Sequence, residues 1–178
     1  MIFVDTNVFV IDLRYRRDPD YPANRRFLDD LAARGNGVTG LINLLEICGI
    51  LSFNLSPHRL RELFHNFGQQ YRLLIVPGAS AQAGPPSFPA GDLLDKMSAK
   101  MASKDAEIAL LVERFVPGAQ AFVTWNKKHF VGKVPCPVLT PAEYMARPPL
   151  SLIKDVESDY RTRRKKGIMR RRAVPPKR

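Results

Sequence analysis

Cysteine is nearly missing from this chain of 178 residues, which has only Cys48 and Cys136. Two thiols, one of them in a strongly apolar stretch, read as buried reduced cysteines and exclude a disulfide framework. Histidine is almost as scarce: His58 and His65 share one amphipathic segment with no third ligand in view, which argues against zinc. His129, followed by Phe130, reads as a packed or capping residue. No apolar run approaches the ~20 residues of a membrane span. No basic stretch precedes the apolar N-terminus, and an acid at position 5 comes too early for a secretory leader. The expectation is a cytoplasmic protein with no membrane partner. Internal repeats are absent. Acidic residues are missing altogether from 161 to 178, a segment that holds 10 of the 28 Lys and Arg.

What is present suits one globular domain: 45% hydrophobic and 25% charged residues. The net charge of +11 is not evenly spread, because residues 1–160 hold 18 basic against 17 acidic side chains. The chain therefore divides into a nearly neutral domain over 1–147 and a C-terminal helix and basic tail over 148–178. In the tail, Glu157 with Arg161 and Asp159 with Arg163 have helical i,i+4 spacing, and Gly167 suits a stop. Blocks such as RTRRKKGIMRRRAVPPKR are often solvated, and they also supply phosphate contacts to nucleic acid.

Along the domain, β and α character alternate. MIFVD reads as a strand buried on both faces. A helix is predicted from about Asn24 to Arg34, closed by Gly35-Asn36-Gly37, and Val38-Thr39 is a short strand end. LINLLEICGILSF is a helix apolar almost all round, SPHRLRELFHNF a second with Pro57 in its first turn, and YRLLIV a strand. Residues 77–91, rich in Gly, Pro, Ala and Ser, read as a mobile loop. Helical character returns from about Asp92, breaks near Ser103 and resumes in KDAEIALLVERF. AFVTWN is a third strand, followed by a turn at Lys127-Lys128-His129, and PCPVLTPAEYM gives a short strand, a turn and a helix start. Strands joined by helices predict an α/β fold, a three-layer α/β/α sandwich around a mainly parallel sheet. Such sheets bind ligands beyond their carboxyl ends, where Asp5 and Asn126 fall.

Three acids stand out. Asp5 ends an apolar strand, where an ionised carboxylate is costly unless something compensates it. Glu46 lies on an apolar helix with no basic residue between Gly35 and Pro57; it needs a distant Arg, an exposed rim or another partner. Asp105 falls in the first turn of its helix, where acids are favoured anyway, with Ser103 as a candidate N-cap. Glu107, two residues on, belongs to a different face. Gathered at one sheet edge, these like charges would repel one another, and a hard divalent cation relieves that repulsion. Oxygen ligands favour Mg²⁺ or Mn²⁺, which suit phosphoryl chemistry.

MIFVDTNVFV, the Glu of LINLLEICGI, the Asp of SKDAEIALL and the strand-turn AFVTWNKKHF together resemble the PIN-domain nucleases, in order and spacing, from Met1 to about Tyr144. Among them the chain is most similar to the compact VapC-type toxins. The resemblance implies an α/β/α fold, a Mg²⁺- or Mn²⁺-dependent endoribonuclease, a homodimer and a small antitoxin partner. It places Asp5, Glu46 and Asp105 as metal-binding acids, Thr6 and Asn7 as the polar pair that orients the first of them, and Thr124 as a small polar residue lining the site. Asn126 takes the place of a fourth acid found in many members; it can ligate or position water but adds no charge. The basic tail and the Pro-rich loop, expected beside the substrate groove, depart from the short toxins.

The expected chemistry is hydrolysis of an RNA phosphodiester, with Asn126 and Thr124 placing water or phosphate. Lys104, Lys127, Lys128 and the tail residues Arg163, Arg164, Lys165, Lys166, Arg170, Arg171 and Arg172 are the candidate RNA contacts. Lys127 and Lys128 equally suit a solvated turn, and Trp125 suits either a core position or a base platform. The alternative is a catalytically weakened PIN protein that acts as a nucleic-acid-binding or scaffold module. Haloacid-dehalogenase-type phosphatases want an Asp where this chain has Asn7, and receiver domains want an adjacent acid pair near the first strand; neither pattern is met.

Overall fold

Every strand of this fold is short, from two to four residues, and each is followed by helix or loop that returns the chain in the same direction. The computed structural model describes residues 1–78 and 84–147. The helix expected over 151–166, the basic tail and residues 79–83 of the Pro-rich stretch lie outside the described residues. In chain order the elements are β1 (Ile2–Val4), α1 (Thr6–Arg14), α2 (Tyr21–Arg34), β2 (Gly37–Gly40), α3 (Leu41–Leu51), α4 (Pro57–Tyr71), β3 (Leu73–Val76), α5 (Ala90–Ser98), α6 (Ser103–Phe115), β4 (Ala121–Val123), α7 (Lys127–Phe130), β5 (Val138–Leu139) and α8 (Pro141–Met145). Met1–Met145 forms one compact unit.

The five strands are all parallel and ordered β3-β2-β1-β4-β5. From β1 the chain builds outward through β2 and β3 on one side, then through β4 and β5 on the other. The strand order therefore reverses between β1 and β4, and the crevice beyond the carboxyl ends of those two strands is where such sheets hold ligands. Asp5 directly follows β1, and Thr124 directly follows β4.

Alternate side chains of each strand enter opposite cores. Ile2, Val4, Ala121, Val123 and Leu139 face a core filled from α1, α2, α3 and α4. Phe3, Val38, Phe122 and Val138 face a second core closed by Met101, α6 and Phe130 of α7. Phe3 and Phe122 stack across the sheet with ring centroids 5.2 Å apart. This two-sided burial is why the strand residues read as continuous apolar runs. α3 contributes Leu41, Leu44, Ile47, Cys48 and Leu51 to the first core and Ile42 to the second, which leaves little of it in water.

The first core also holds a polar clamp. Asp12 of α1 is buried and accepts bonds from Tyr71 Oη of α4 (2.8 Å) and from Arg25 of α2 (3.2 Å to each oxygen). Arg25 also pairs with Asp29 on its own helix. Three helices are thus tied at one buried carboxylate.

Several boundaries differ from the sequence reading. α1 starts at once after Asp5, where no helix was expected, and α2 begins at Tyr21 rather than near Asn24. α2 ends as expected at Gly35, whose left-handed φ of 61° suits a residue without a Cβ. α4 runs on through Tyr71, so β3 begins only at Leu73. α5 begins at Ala90 rather than Asp92. Ser103 is the first residue of α6, not its cap; Ala102 holds the cap position with no side-chain bond. The strand expected as AFVTWN stops at Val123, and the turn after it is the short helix α7. Both cysteines are free; Cys48 is buried, but Cys136 is only partly so. Among the described residues no helix is long and apolar enough to cross a membrane.

Candidate active site

Asp5 is both the end of a strand and the cap of a helix. Its Oδ1 accepts from the Thr6 backbone N–H at 2.8 Å, closing the first turn of α1. Its Oδ2 accepts from Asn7 Nδ2 (2.9 Å) and from the Thr124 hydroxyl (2.7 Å). A fourth donor, Asn43 Nδ2 of α3, lies 3.3 Å from Oδ1. All four donors are neutral, and among the described residues no Lys, Arg or His forms an ion pair with Asp5. Asp5 is only 4% exposed. Burial pushes its carboxyl from the ordinary 3.8 up to about 6; the bonds from Thr124 and Thr6 pull it down, and the charges of Glu46 and Asp105 push it up.

Thr124 is a junction. Its hydroxyl donates to Asp5 and accepts from Asn7 Nδ2 and from the Asn126 backbone N–H, both at 2.9 Å. Asn7 Oδ1 in turn accepts from the Trp125 backbone N–H at 3.0 Å. The start of α1 and the segment after β4 are therefore sewn together around one carboxylate. Trp125 is packed against the first core, and its indole N–H donates to buried Asn24 at 2.9 Å, so the core reading of this side chain holds.

Glu46 is half-buried, and its Oε2 accepts from the Thr6 hydroxyl at 2.6 Å. Thr6 thus divides its work: its backbone N–H holds Asp5, and its hydroxyl holds Glu46. Among the described residues Glu46 has no basic ion-pair partner, which sets aside the distant Arg. Asp105 is in the first turn of α6, as the sequence placed it, and its Oδ2 lies 2.9 Å from His129 Nδ1. Asp5 and Glu46 are joined through Thr6, and Asp105 comes near enough to act on Asp5 by charge. The arrangement is nonetheless spread out. Among the described residues no three His, Cys, Asp or Glu side chains stand together at the spacing that holds a metal ion.

The remaining candidates lie at the rim. Asn126 is exposed and caps α7 without a side-chain bond. Lys127 is engaged with Glu143, its Nζ 2.6 and 2.7 Å from the two carboxylate oxygens, whereas Lys128 is exposed. Lys104 is exposed and lies 3.4 Å from Glu107, which is half-buried. The tail residues Arg163, Arg164, Lys165, Lys166, Arg170, Arg171 and Arg172 lie outside the described residues.

Two side chains of this site escaped the sequence reading. Asn43 is fully buried; its amide reaches Asp5 and, at 3.1 Å, the Thr6 hydroxyl, while its Oδ1 has no hydrogen-bond partner among the described residues. Its spacing of three residues from Glu46 on one helix was the available signal. His129 had none, because only the packing of α7 against α6 brings it to Asp105.

No family model matches the chain, and no curated protein matches it either. Three solved structures share its fold. FitAB bound to an IR36 DNA fragment aligns over 80% of this chain and 96% of the other, with 18% identity and a TM-score of 0.51. VapBC2 from Rickettsia felis, bound to a DNA fragment from its promoter, aligns over 78% and 98%, with 23% identity and a TM-score of 0.51. FitAcB from Neisseria gonorrhoeae aligns over 79% and 98%, with 22% identity and a TM-score of 0.53. The chain has a PIN-like fold. In this PIN-like fold the parallel sheet and its flanking helices are those the resemblance implied, with Asp5 at the switch between β1 and β4.

Proposed function

We propose that this chain is a metal-dependent endoribonuclease of the toxin–antitoxin type, with its site at Asp5, Glu46 and Asp105. The observation that carries this reading is Asp5 itself. It is a buried carboxylate with no cationic partner among the described residues, at the edge of the sheet where such folds hold ligands, and it is burdened further by two acids from other elements. Proteins do not ordinarily keep such a charge uncompensated. The donor chemistry fits an oxygen-preferring dication: three carboxylates, with the His129 imidazole on Asp105 and, among the described residues, no thiol or imidazole bonded to Asp5. Asp5, Glu46 and Asp105 would hold Mg²⁺ or Mn²⁺, which when bound supplies an activated water and neutralises charge on the phosphate.

The protein's own residues do the rest. Four donors fix the Asp5 carboxylate, and Thr6 keeps Glu46 in register with it. Asn126, exposed just after β4, would orient water or phosphate without adding charge. Lys128 and the basic tail supply backbone contacts to RNA. The structural neighbours FitAB, VapBC2 and FitAcB are toxin–antitoxin complexes, two of them bound to DNA, which supports a small antitoxin partner here; a homodimer is part of the proposal.

A second reading, a PIN protein that binds nucleic acid without cutting it, is favoured by Asn126 in place of an acid and by the absence of a preassembled three-group cluster among the described residues. One assay separates the two. Single-stranded RNA is incubated with the purified chain and Mn²⁺ or Mg²⁺, with and without EDTA, beside the Asp5→Asn variant. The nuclease reading expects cleavage that EDTA and the substitution both abolish. RNA retained intact by a protein that binds it decides for the binding module.

A further inference from the structure

A cavity of about 500 Å³ opens directly beside Glu46 and is unused by the chemistry above. Leu45 of α3 and Pro86 and Phe88 supply apolar wall, and Lys104 and Glu107 of α6 add charged groups to its lining. Phe88 is packed on the second core and carries the Arg114 guanidinium 5.3 Å from its ring centre, so that wall is anchored. Leu45, by contrast, is 41% exposed, a large apolar side chain in water at the mouth of the candidate site. Lys104 and Glu107, one helical turn apart, offer a donor and an acceptor side by side.

Three features narrow the occupant. The lining joins apolar side chains to charged groups of both signs, which suits a flat ligand with apolar faces and a hydrogen-bonding edge. Glu46 and Glu107 repel a phosphate, so the cavity itself does not take the RNA backbone. Glu46 belongs to both the cavity and the acid cluster, so whatever fills the cavity lies next to the bond being cut. We propose that the cavity holds one unstacked base of the RNA, adjacent to the cleaved phosphate, with Leu45 and Phe88 at its faces and Lys104 and Glu107 at its edge. Unpaired bases are recognised in this way, by packing on their faces and by paired donors and acceptors on their edges. The volume is within the range of small-ligand sites. This subsite rests on the ribonuclease reading, and it assigns Lys104 to a base edge rather than to the phosphate contact expected from the sequence.

The test uses the full chain and a set of single-stranded RNAs that differ at one nucleotide at a time around the cut, in Mn²⁺. The wild type is expected to prefer particular bases at one position. Glu107→Gln should reduce that preference to less than about twofold, because one acceptor becomes a donor. Leu45→Trp, which fills the cavity from an exposed position, should lower kcat/KM on the preferred RNA roughly tenfold or more. Should Leu45→Trp fail to fold, Glu107→Gln decides alone, since it preserves size and shape. An unchanged base preference in the folded variants overturns the proposal. So does a Leu45→Trp protein whose preference is intact but whose mass in sedimentation drops from dimer to monomer, which would make this face a contact between copies. Absence of cleavage by the wild type is a failure of the nuclease reading instead. The subsite is then decided by binding: one abasic nucleotide should weaken wild-type binding but not that of Leu45→Trp, and equal weakening of both overturns it.

Discussion

Asp5→Asn in metal-free protein isolates the cost of the buried charge. In the folded chain the Asp5 carboxyl sits at about 6 instead of 3.8, chiefly because of burial. Below pH ~4 both folded and unfolded chains carry it protonated, and its contribution to stability is fully present. Between about 4 and 6 the unfolded chain ionises first, so stability falls as pH rises, and above the folded value the loss is complete. The gap corresponds to about 3 kcal/mol at 1.36 kcal/mol per pH unit. Asn does not titrate, so its variant lacks this slope. It also meets the Asn7 and Thr124 donors with an amide N–H₂ in one orientation, which costs about 1–3 kcal/mol at every pH. The quantity to measure is therefore the difference in unfolding free energy, wild type minus variant, by urea titration in EDTA at pH steps from 3.5 to 7.5. It should fall by about 3 kcal/mol over that range, most of it between pH 4 and 6. The other acids titrate in both proteins and largely cancel; Asp29 and Glu143, held low by Arg25 and Lys127, act in the opposite direction in each. A difference that stays level or rises with pH would mean that the four donors outweigh burial. No electrostatic burden would then be left for a cation to relieve.

Glu46→Gln removes a charge that presses on Asp5, so apo stability at pH 7.5 should hold or rise; a loss of a few kcal/mol would make Glu46 a structural partner instead. Magnesium at a hundredfold excess over its dissociation constant should add ~2.7 kcal/mol to the wild type, seen as a rise in melting temperature, and distinctly less to Glu46→Gln. Tyr71→Phe should cost about 1–3 kcal/mol in urea unfolding, because the buried Asp12 oxygen loses its 2.8 Å partner, and should leave metal binding alone. Deleting residues 161–178, with their 10 basic side chains, should weaken RNA binding and flatten its salt dependence without lowering the melting temperature; an unaltered slope assigns the tail to another task.

Much of the fold was legible because its strands are buried on both faces. A run such as Ile2-Phe3-Val4 has no polar position to blur it, and the helices between such runs announce a parallel sheet. What failed was punctuation at the ends. Asp5 was read as the end of a strand, but a carboxylate that caps its own following N–H also opens a helix, so α1 was invisible behind its β-branched and aromatic residues. Tyr71 was read with the apolar run after it, yet its hydroxyl is held by Asp12, and that distant bond keeps it in α4.

The site divides in the same way. Asp5, Glu46 and Asp105 were legible because each is an acid in an apolar setting or at a helix start, a mismatch that one sequence can display. Asn43 and His129 are not acids stranded in an apolar setting, and their importance comes only from what stands opposite them. Asn43 reaches Asp5 because α3 leaves β2 at Gly40 with almost no clearance: a Cβ there would stand 2.6 Å from Asn43 Oδ1 and 2.9 Å from a Leu111 methyl. That oxygen is buried without a partner among the described residues, which is costly, and the bare backbone of Gly40 is what lets the amide end of the same side chain approach the carboxylate. The glycine, the orphaned oxygen and the extra donor on Asp5 are therefore one structural compromise. It is distributed over residues 5, 40, 43 and 111, and no single stretch of the sequence contains it.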